Sequence, residues 1–253
     1  MLLLLTVQKG TRILKRIPIG ARIKIAVNVA CALGPETWRQ SVYDHENEDW
    51  RERTRPHVPT RPVVPPLLDE SLWPVFRSYL KKRRLSSDIA VSNGWYPTLT
   101  SDGVPRIVIT TSSLQNSWFY YQARAMTDGK GVTRYVSPSA PRGDALAVVF
   151  PSGDALGSII VEGPMDALAA AELGLVGVSV MGNTPNSLVL DHIESIVKVY
   201  GQCFVIPDRD AFTEGASITA DLWARGVRCT LKSIQGAKDL AELSPERRKI
   251  LIS

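Results

Sequence analysis

The chain has 253 residues, is 44% hydrophobic and 22% charged, and carries a net charge of +5. That balance belongs to a folded protein and excludes a disordered or collagen-like chain, and the length allows one large domain or two small ones at about 100–200 residues each. No apolar run approaches the ~20 residues of a membrane span, and the three cysteines, Cys31, Cys203 and Cys229, form no C-x-x-C pair, which excludes a structural zinc site built from several thiolates.

Sparse, unpaired cysteines and the lack of a convincing secretory signal point to a cytoplasmic protein with no membrane partner. Charge is uneven along the chain. Residues 1–66 hold 11 Lys and Arg against 6 Asp and Glu, residues 67–156 hold 10 against 7, and residues 157–253 hold 9 against 12. The first part favours a polyanion, and the last part supplies the carboxylates.

In chain order, residues 1–66 read as a basic, proline-rich arm of unknown fold, with five prolines between Pro56 and Pro66. Residues 67–156 read as a smaller mixed α+β subdomain. Its helix is expected over Leu67 to Leu85, since Leu72, Val75, Phe76, Tyr79 and Leu80 recur at helical spacing and Lys81-Lys82-Arg83-Arg84 close it. Alternating residues predict antiparallel strands over 106–110, 118–122 and 135–136, with Asp128-Gly129-Lys130-Gly131 as a turn.

From 157 to 253 the pattern becomes strand–helix–strand. Strands are expected at 158–161, 176–181, 203–207 and 227–232. Helices are expected at 164–173, 188–200 and 215–225, with a short one after Asp239. Such alternation implies an α/β fold, a parallel sheet covered by helices on both faces.

Ligands of such sheets bind at the carboxyl ends of the strands. Glu162 directly follows one expected strand, and Asp208 and Asp210 directly follow another. Asp208 and Asp210 are two apart and share a face if extended. Asp166 lies one helical turn beyond Glu162. Clustered carboxylates repel, and a hard divalent cation such as Mg²⁺ would relieve the repulsion and act on a transferring phosphoryl group. Taken singly, either motif reads as readily as a turn that caps a helix.

Val161-Glu162-Gly163-Pro164-Met165-Asp166-Ala167-Leu168, followed by Pro207-Asp208-Arg209-Asp210, resembles a Toprim domain, the catalytic fold of primases, topoisomerases, RecR-like proteins and OLD-type nucleases. The E-G-x-x-D-A form is similar to primases of the DnaG and bacteriophage primase-helicase type. Met181-Gly182-Asn183-Thr184 resembles the turn after the second Toprim strand, and Lys238-Asp239 with Glu242 resembles the K-D-x-x-E element near its end. Upstream, Tyr79-Leu80, Arg83-Arg84-Leu85 and Asn93-Gly94-Trp95-Tyr96 resemble the opening of the primase polymerase core.

The resemblance covers about residues 67–245. It implies a catalytic cleft between a 67–156 subdomain and a 157–253 Toprim subdomain, and synthesis of short RNA primers on single-stranded DNA from ribonucleoside triphosphates with Mg²⁺ or Mn²⁺. It makes Glu162, Asp208 and Asp210 the catalytic metal carriers, with Asp166 and Asp239 in support. Arg124, Arg134 and Lys238 become nucleotide or DNA contacts. The chain departs from the family at Arg134, usually lysine, and at Ala241, often a carboxylate or Asn. It also lacks the zinc-binding cysteine set and a P-loop. The zinc-domain function is therefore absent or supplied by another chain, so a replicative helicase or a separate zinc-binding subunit is an expected partner, in a phage-like or plasmid-like setting. The same carboxylates leave open a Toprim nuclease, or a non-catalytic nucleic-acid-binding accessory protein.

Overall fold

The computed structural model describes residues 65–112, 120–140, 142–182 and 184–253. Nearly all of the arm expected over 1–66, together with Trp118, Phe119 and Asn183, lies outside the described residues.

Asp69 accepts hydrogen bonds from the N–H (3.0 Å) and hydroxyl (2.6 Å) of Ser71 and opens a single 3-10 turn, Glu70–Leu72. Helix α1 (Trp73–Lys82) follows, with Pro74 in its first turn, where no N–H is needed. The helix is shorter than the expected 67–85. The Asp69 turn and Pro74 set its start, and Arg84 breaks it with a left-handed backbone (φ 58°). Ser86 caps a short α2 (Ser87–Ser92) by accepting the Ile89 N–H at 3.2 Å.

Four antiparallel strands then form the first sheet in sequential order: β1 (Tyr96–Leu99), β2 (Pro105–Thr110), β3 (Tyr121–Ala125) and β4 (Tyr135–Val136). Strand β3 lies further along the chain than the expected 118–122. This register sets Arg124 opposite Ile107 on one side and Tyr135 on the other.

The second sheet has the order β5-β7-β6-β8-β9, from β5 (Ala147–Val149), β6 (Ser158–Val161), β7 (Val176–Ser179), β8 (Cys203–Val205) and β9 (Thr230–Leu231). The last four are parallel, and β5 adds an antiparallel edge. Helix α3 (Pro164–Ala171) covers one face, and α4 (Ser187–Tyr200) and α5 (Phe212–Ala224) cover the other. The α/β fold read from the sequence is thus present, with a mixed rather than wholly parallel sheet. Side chains alternate as a pleat requires: Ile159 and Val161 join the α3 side, while Ile160 joins Val176, Val178 and Val205 on the other.

Every residue of α3 is buried, because the helix is covered on two sides. Phe76, Leu80, Trp95, Ile107 and Ile109 from the first half share one core with Met165, Leu168 and Ala169. A helix buried all round cannot be amphipathic, and the alanine run at 169–171 keeps it thin enough to fit. The two sheets are therefore joined through α3. Among the described residues, no helix is long and apolar enough to cross a membrane.

The region after Asp239 is a turn, not the expected helix. Asp239 accepts the Glu242 N–H at 2.9 Å, and Leu240 accepts the Leu243 N–H at 3.2 Å. The final helix, α6 (Pro245–Ile252), starts later, capped by Ser244 with Pro245 in its first turn.

Candidate active site

Strands β6, β7 and β8 end side by side, and their carboxyl ends carry the site. Glu162 leaves β6. Its carbonyl accepts the Gly182 N–H at 2.9 Å and the Ser179 hydroxyl at 2.8 Å, which ties it to the turn after β7. That turn is tight: Met181 and Gly182 both have positive φ, 56° and 72°. Asp208 and Asp210 lie on the loop between β8 and α5. The Arg209 N–H on the same loop donates to the Lys238 carbonyl at 2.8 Å, which pins the Lys238–Asp239 turn beside it. The Lys238 N–H donates to Glu242 at 2.9 Å, closing that turn.

A cleft of about 570 Å³ runs along these ends, lined by Glu162, Asp208, Asp210, Glu214 and Lys238, with Thr184 across from them. Glu214 was not anticipated. Helix α5 starts at Phe212 rather than Gly215, which places Glu214 in its first turn. The four-residue step from Asp210 is the sequence signal that could have found it.

The carboxylates feel one another. Burial and the neighbouring Glu162 and Asp239 push Asp208 up to about 6, against the opposing pull of Lys238. Burial, Asp210 and Glu214 raise Glu162, again opposed by Lys238. Asp166 is fully enclosed, and burial and Asp239 hold it well above the usual carboxylate range. These shifts follow from several like charges sharing a poorly hydrated edge with a single ammonium.

Among the described residues, no three His, Cys, Asp or Glu side chains are arranged to hold a metal ion. Glu162, Asp208 and Asp210 nevertheless line one cleft and feel one another's charge. Asp166 is buried beside the cleft rather than lining it, and accepts the buried Ala241 N–H at 2.8 Å. Asp239 is engaged by the Glu242 N–H.

The basic residues also separate. Lys238 lines the cleft. Arg124 is buried in β3. Its Nε donates to the Tyr79 hydroxyl at 2.6 Å and its Nη1 to the Tyr135 hydroxyl at 2.5 Å, and its guanidinium sits 4.9 Å from the Tyr135 ring centre. Burial drives the Tyr135 hydroxyl up to about 12, so it stays neutral beside the arginine. Arg124 thus braces the contact between α1 and the first sheet, while Arg134 is exposed at the start of β4. Tyr79→Phe is expected to cost about 1–3 kcal/mol in urea unfolding, because it leaves a buried guanidinium N–H without its acceptor.

The fold is that of the catalytic part of solved primases. The primase fragment of the bacteriophage T7 primase-helicase protein is similar over 81% of this chain and 83% of that one, with a TM-score of 0.50 and 16% identity. The Aquifex aeolicus primase, with its zinc-binding and RNA polymerase domains, is similar over 94% of this chain and 61% of that one, with a TM-score of 0.51 and 15% identity. No family profile and no curated protein sequence matches the chain.

Proposed function

We propose that the chain is a primase-type nucleotidyltransferase that makes short RNA primers on single-stranded DNA. The observation that carries this reading is the cleft at the ends of β6 and β8, lined by Glu162, Asp208 and Asp210, where burial and neighbouring carboxylates raise the pKa of Glu162 and Asp208 with Lys238 opposing. The primase-like fold supports it.

A hard divalent ion fits this donor set in kind, since the oxygens are mutually destabilised and a single ammonium opposes them. Glu162, Asp208 and Asp210 would hold Mg²⁺ or Mn²⁺. Once bound, the ion would activate the 3′-hydroxyl of one ribonucleotide and neutralise charge on the α-phosphate of the next. The new bond joins that oxygen to the α-phosphorus, and pyrophosphate leaves. Lys238 offers a positive charge to the triphosphate. Asp166 and Asp239 act through the turn they hold rather than as ligands. The exposed Lys81, Lys82 and Arg84 at the end of α1, with Arg134 just before β4, suit template phosphates. On this reading, the protein works in the cytoplasm, with a replicative helicase as a candidate partner.

One gel assay decides: single-stranded DNA, labelled ribonucleoside triphosphates and Mg²⁺ or Mn²⁺, with and without a helicase. Short labelled products that vanish with EDTA are expected. Metal-dependent nicking without incorporation would replace this reading with a Toprim nuclease. DNA binding that persists in EDTA, with no product under any condition, would leave a non-catalytic accessory protein.

A further inference from the structure

We propose that Arg248 on α6 is a positioning residue that sets the Lys238–Asp239 turn and, through it, the acidic edge of the cleft. The identification of that edge as catalytic rests on the primase reading, but the mechanical claim does not.

Arg248 is fully buried, and it is the one residue of α6 that is. Leu251 and Ile252 at its end pack against the core half-buried, while Ile250 is 72% exposed and the remaining residues are Pro245 and charged side chains. A helix that serves only to cover a core presents an apolar stripe. This one has only Leu251 and Ile252 for that purpose, and its one fully buried side chain is a guanidinium. Its Nε donates to the Leu240 carbonyl at 3.1 Å, and its Nη2 to the Ala241 carbonyl at 2.8 Å. Its Nη1 meets Glu172, at the end of α3, at 2.6 Å. The other oxygen of Glu172 accepts the Ser86 N–H from the start of α2.

The turn is therefore gripped from two sides. Arg248 holds its carbonyls, and Asp166 holds the Ala241 N–H. Both grips trace to α3, directly through Asp166 in its first turn and indirectly through Glu172 at its end. The turn in turn holds the Asp208–Asp210 loop, because the Lys238 carbonyl accepts the Arg209 N–H. A planar guanidinium holds two carbonyls and a carboxylate in one fixed fork, a geometry that a point-like ammonium on a flexible stem does not impose. Burying that charge is expensive, and an apolar residue would fill the same space at lower cost. What the arginine adds is the fixed geometry of a turn that lacks helical or sheet hydrogen bonds.

Arg248→Lys keeps the charge against Glu172 and loses the two-carbonyl grip. Amide hydrogen exchange in the full chain should show the Ala241 and Arg209 N–H groups exchanging about tenfold faster, with Ile160 and Val205 in the sheet unchanged. In primer synthesis, the half-saturating Mg²⁺ concentration should rise about tenfold, as for groups that orient metal ligands. The KM for ribonucleotide should stay within about twofold, because no substrate contact is removed. If the lysine variant does not fold, Arg248→Gln is read the same way. Wild-type exchange at Ala241, or equal acceleration across the sheet and the turn, would overturn the proposal. Absence of primer synthesis by the wild type would overturn the primase reading alone, since the exchange experiment still decides this one.

Discussion

Asp208→Asn is expected to abolish primer synthesis while making the protein more stable. The first effect follows from the loss of an anionic oxygen at the centre of the acidic cleft. Charge stabilisation by a bound metal is worth several kcal/mol, and each ~1.4 kcal/mol is tenfold in rate, so a loss of about a thousandfold or more is expected. The second follows from the strained ionisation of Asp208, which burial, Glu162 and Asp239 raise to about 6. A carboxyl group that binds its proton more tightly when folded stabilises the fold at low pH. That contribution is complete below the unfolded value near ~3.9 and is lost as pH rises through the folded value. Asp208 is half-exposed, so water screens much of the effect. About 1 kcal/mol is expected above neutral pH, falling to nothing near pH ~3.5. Mg²⁺ should raise the melting temperature of the wild type more than that of the variant. Undiminished primer synthesis by the variant would remove Asp208 from the chemistry. A stability gap independent of pH would remove the electrostatic strain.

The second sheet was legible because its signals are local. Strand β6 is a short apolar run, and α3 opens on Gly163-Pro164. The placement of Glu162 and Asp208 followed from the rule that sites lie at the strand ends. The first half was harder. Pro97 argues against a strand, yet β1 lies at the edge of its sheet, where proline is tolerated. Six-residue α2 is too short to show a helical period. For β3, the aromatic run at 118–121 drew the expected strand toward the N-terminus, because a strand carrying a buried Arg124 contradicts any hydrophobic pattern.

The positions of Asp166, Arg124 and Arg248 were illegible for one shared reason. Each is a buried charge whose partners lie in other elements. Ala241 is 75 residues from Asp166, and Glu172 is 76 from Arg248. A single sequence carries no signal for such pairs, although it does carry the residue types. The family resemblance marked Ala241 as a missing carboxylate. In the structure its backbone, not its side chain, is what the site uses: its N–H meets Asp166 and its carbonyl meets Arg248.

Gly177→Ala is expected to cause the largest loss of stability of any single methyl addition considered. Gly177 sits in β7, on the face that meets α3. A Cβ there would lie 1.9 Å from the Ala167 carbonyl oxygen and 2.5 Å from its carbon. No side chain can rotate away, because the obstacle is helix backbone. The helix cannot retreat either, since the core formed by Phe76, Leu80, Trp95 and Ile107 presses on its other side. Overpacking usually costs about 1–3 kcal/mol, and a clash with backbone belongs at or above the top of that range. A loss of about 3–5 kcal/mol is therefore expected, a large share of the ~5–15 kcal/mol that holds a domain together. Gly153→Ala provides the control, because nothing lies within 4 Å of its added carbon. It should stay within about 0.5 kcal/mol of the wild type. Urea unfolding midpoints measure both. If Gly177→Ala unfolded like the control, α3 could not approach β7 as closely as described. The burial of Asp166 against the Ala241 turn would lose its support with it.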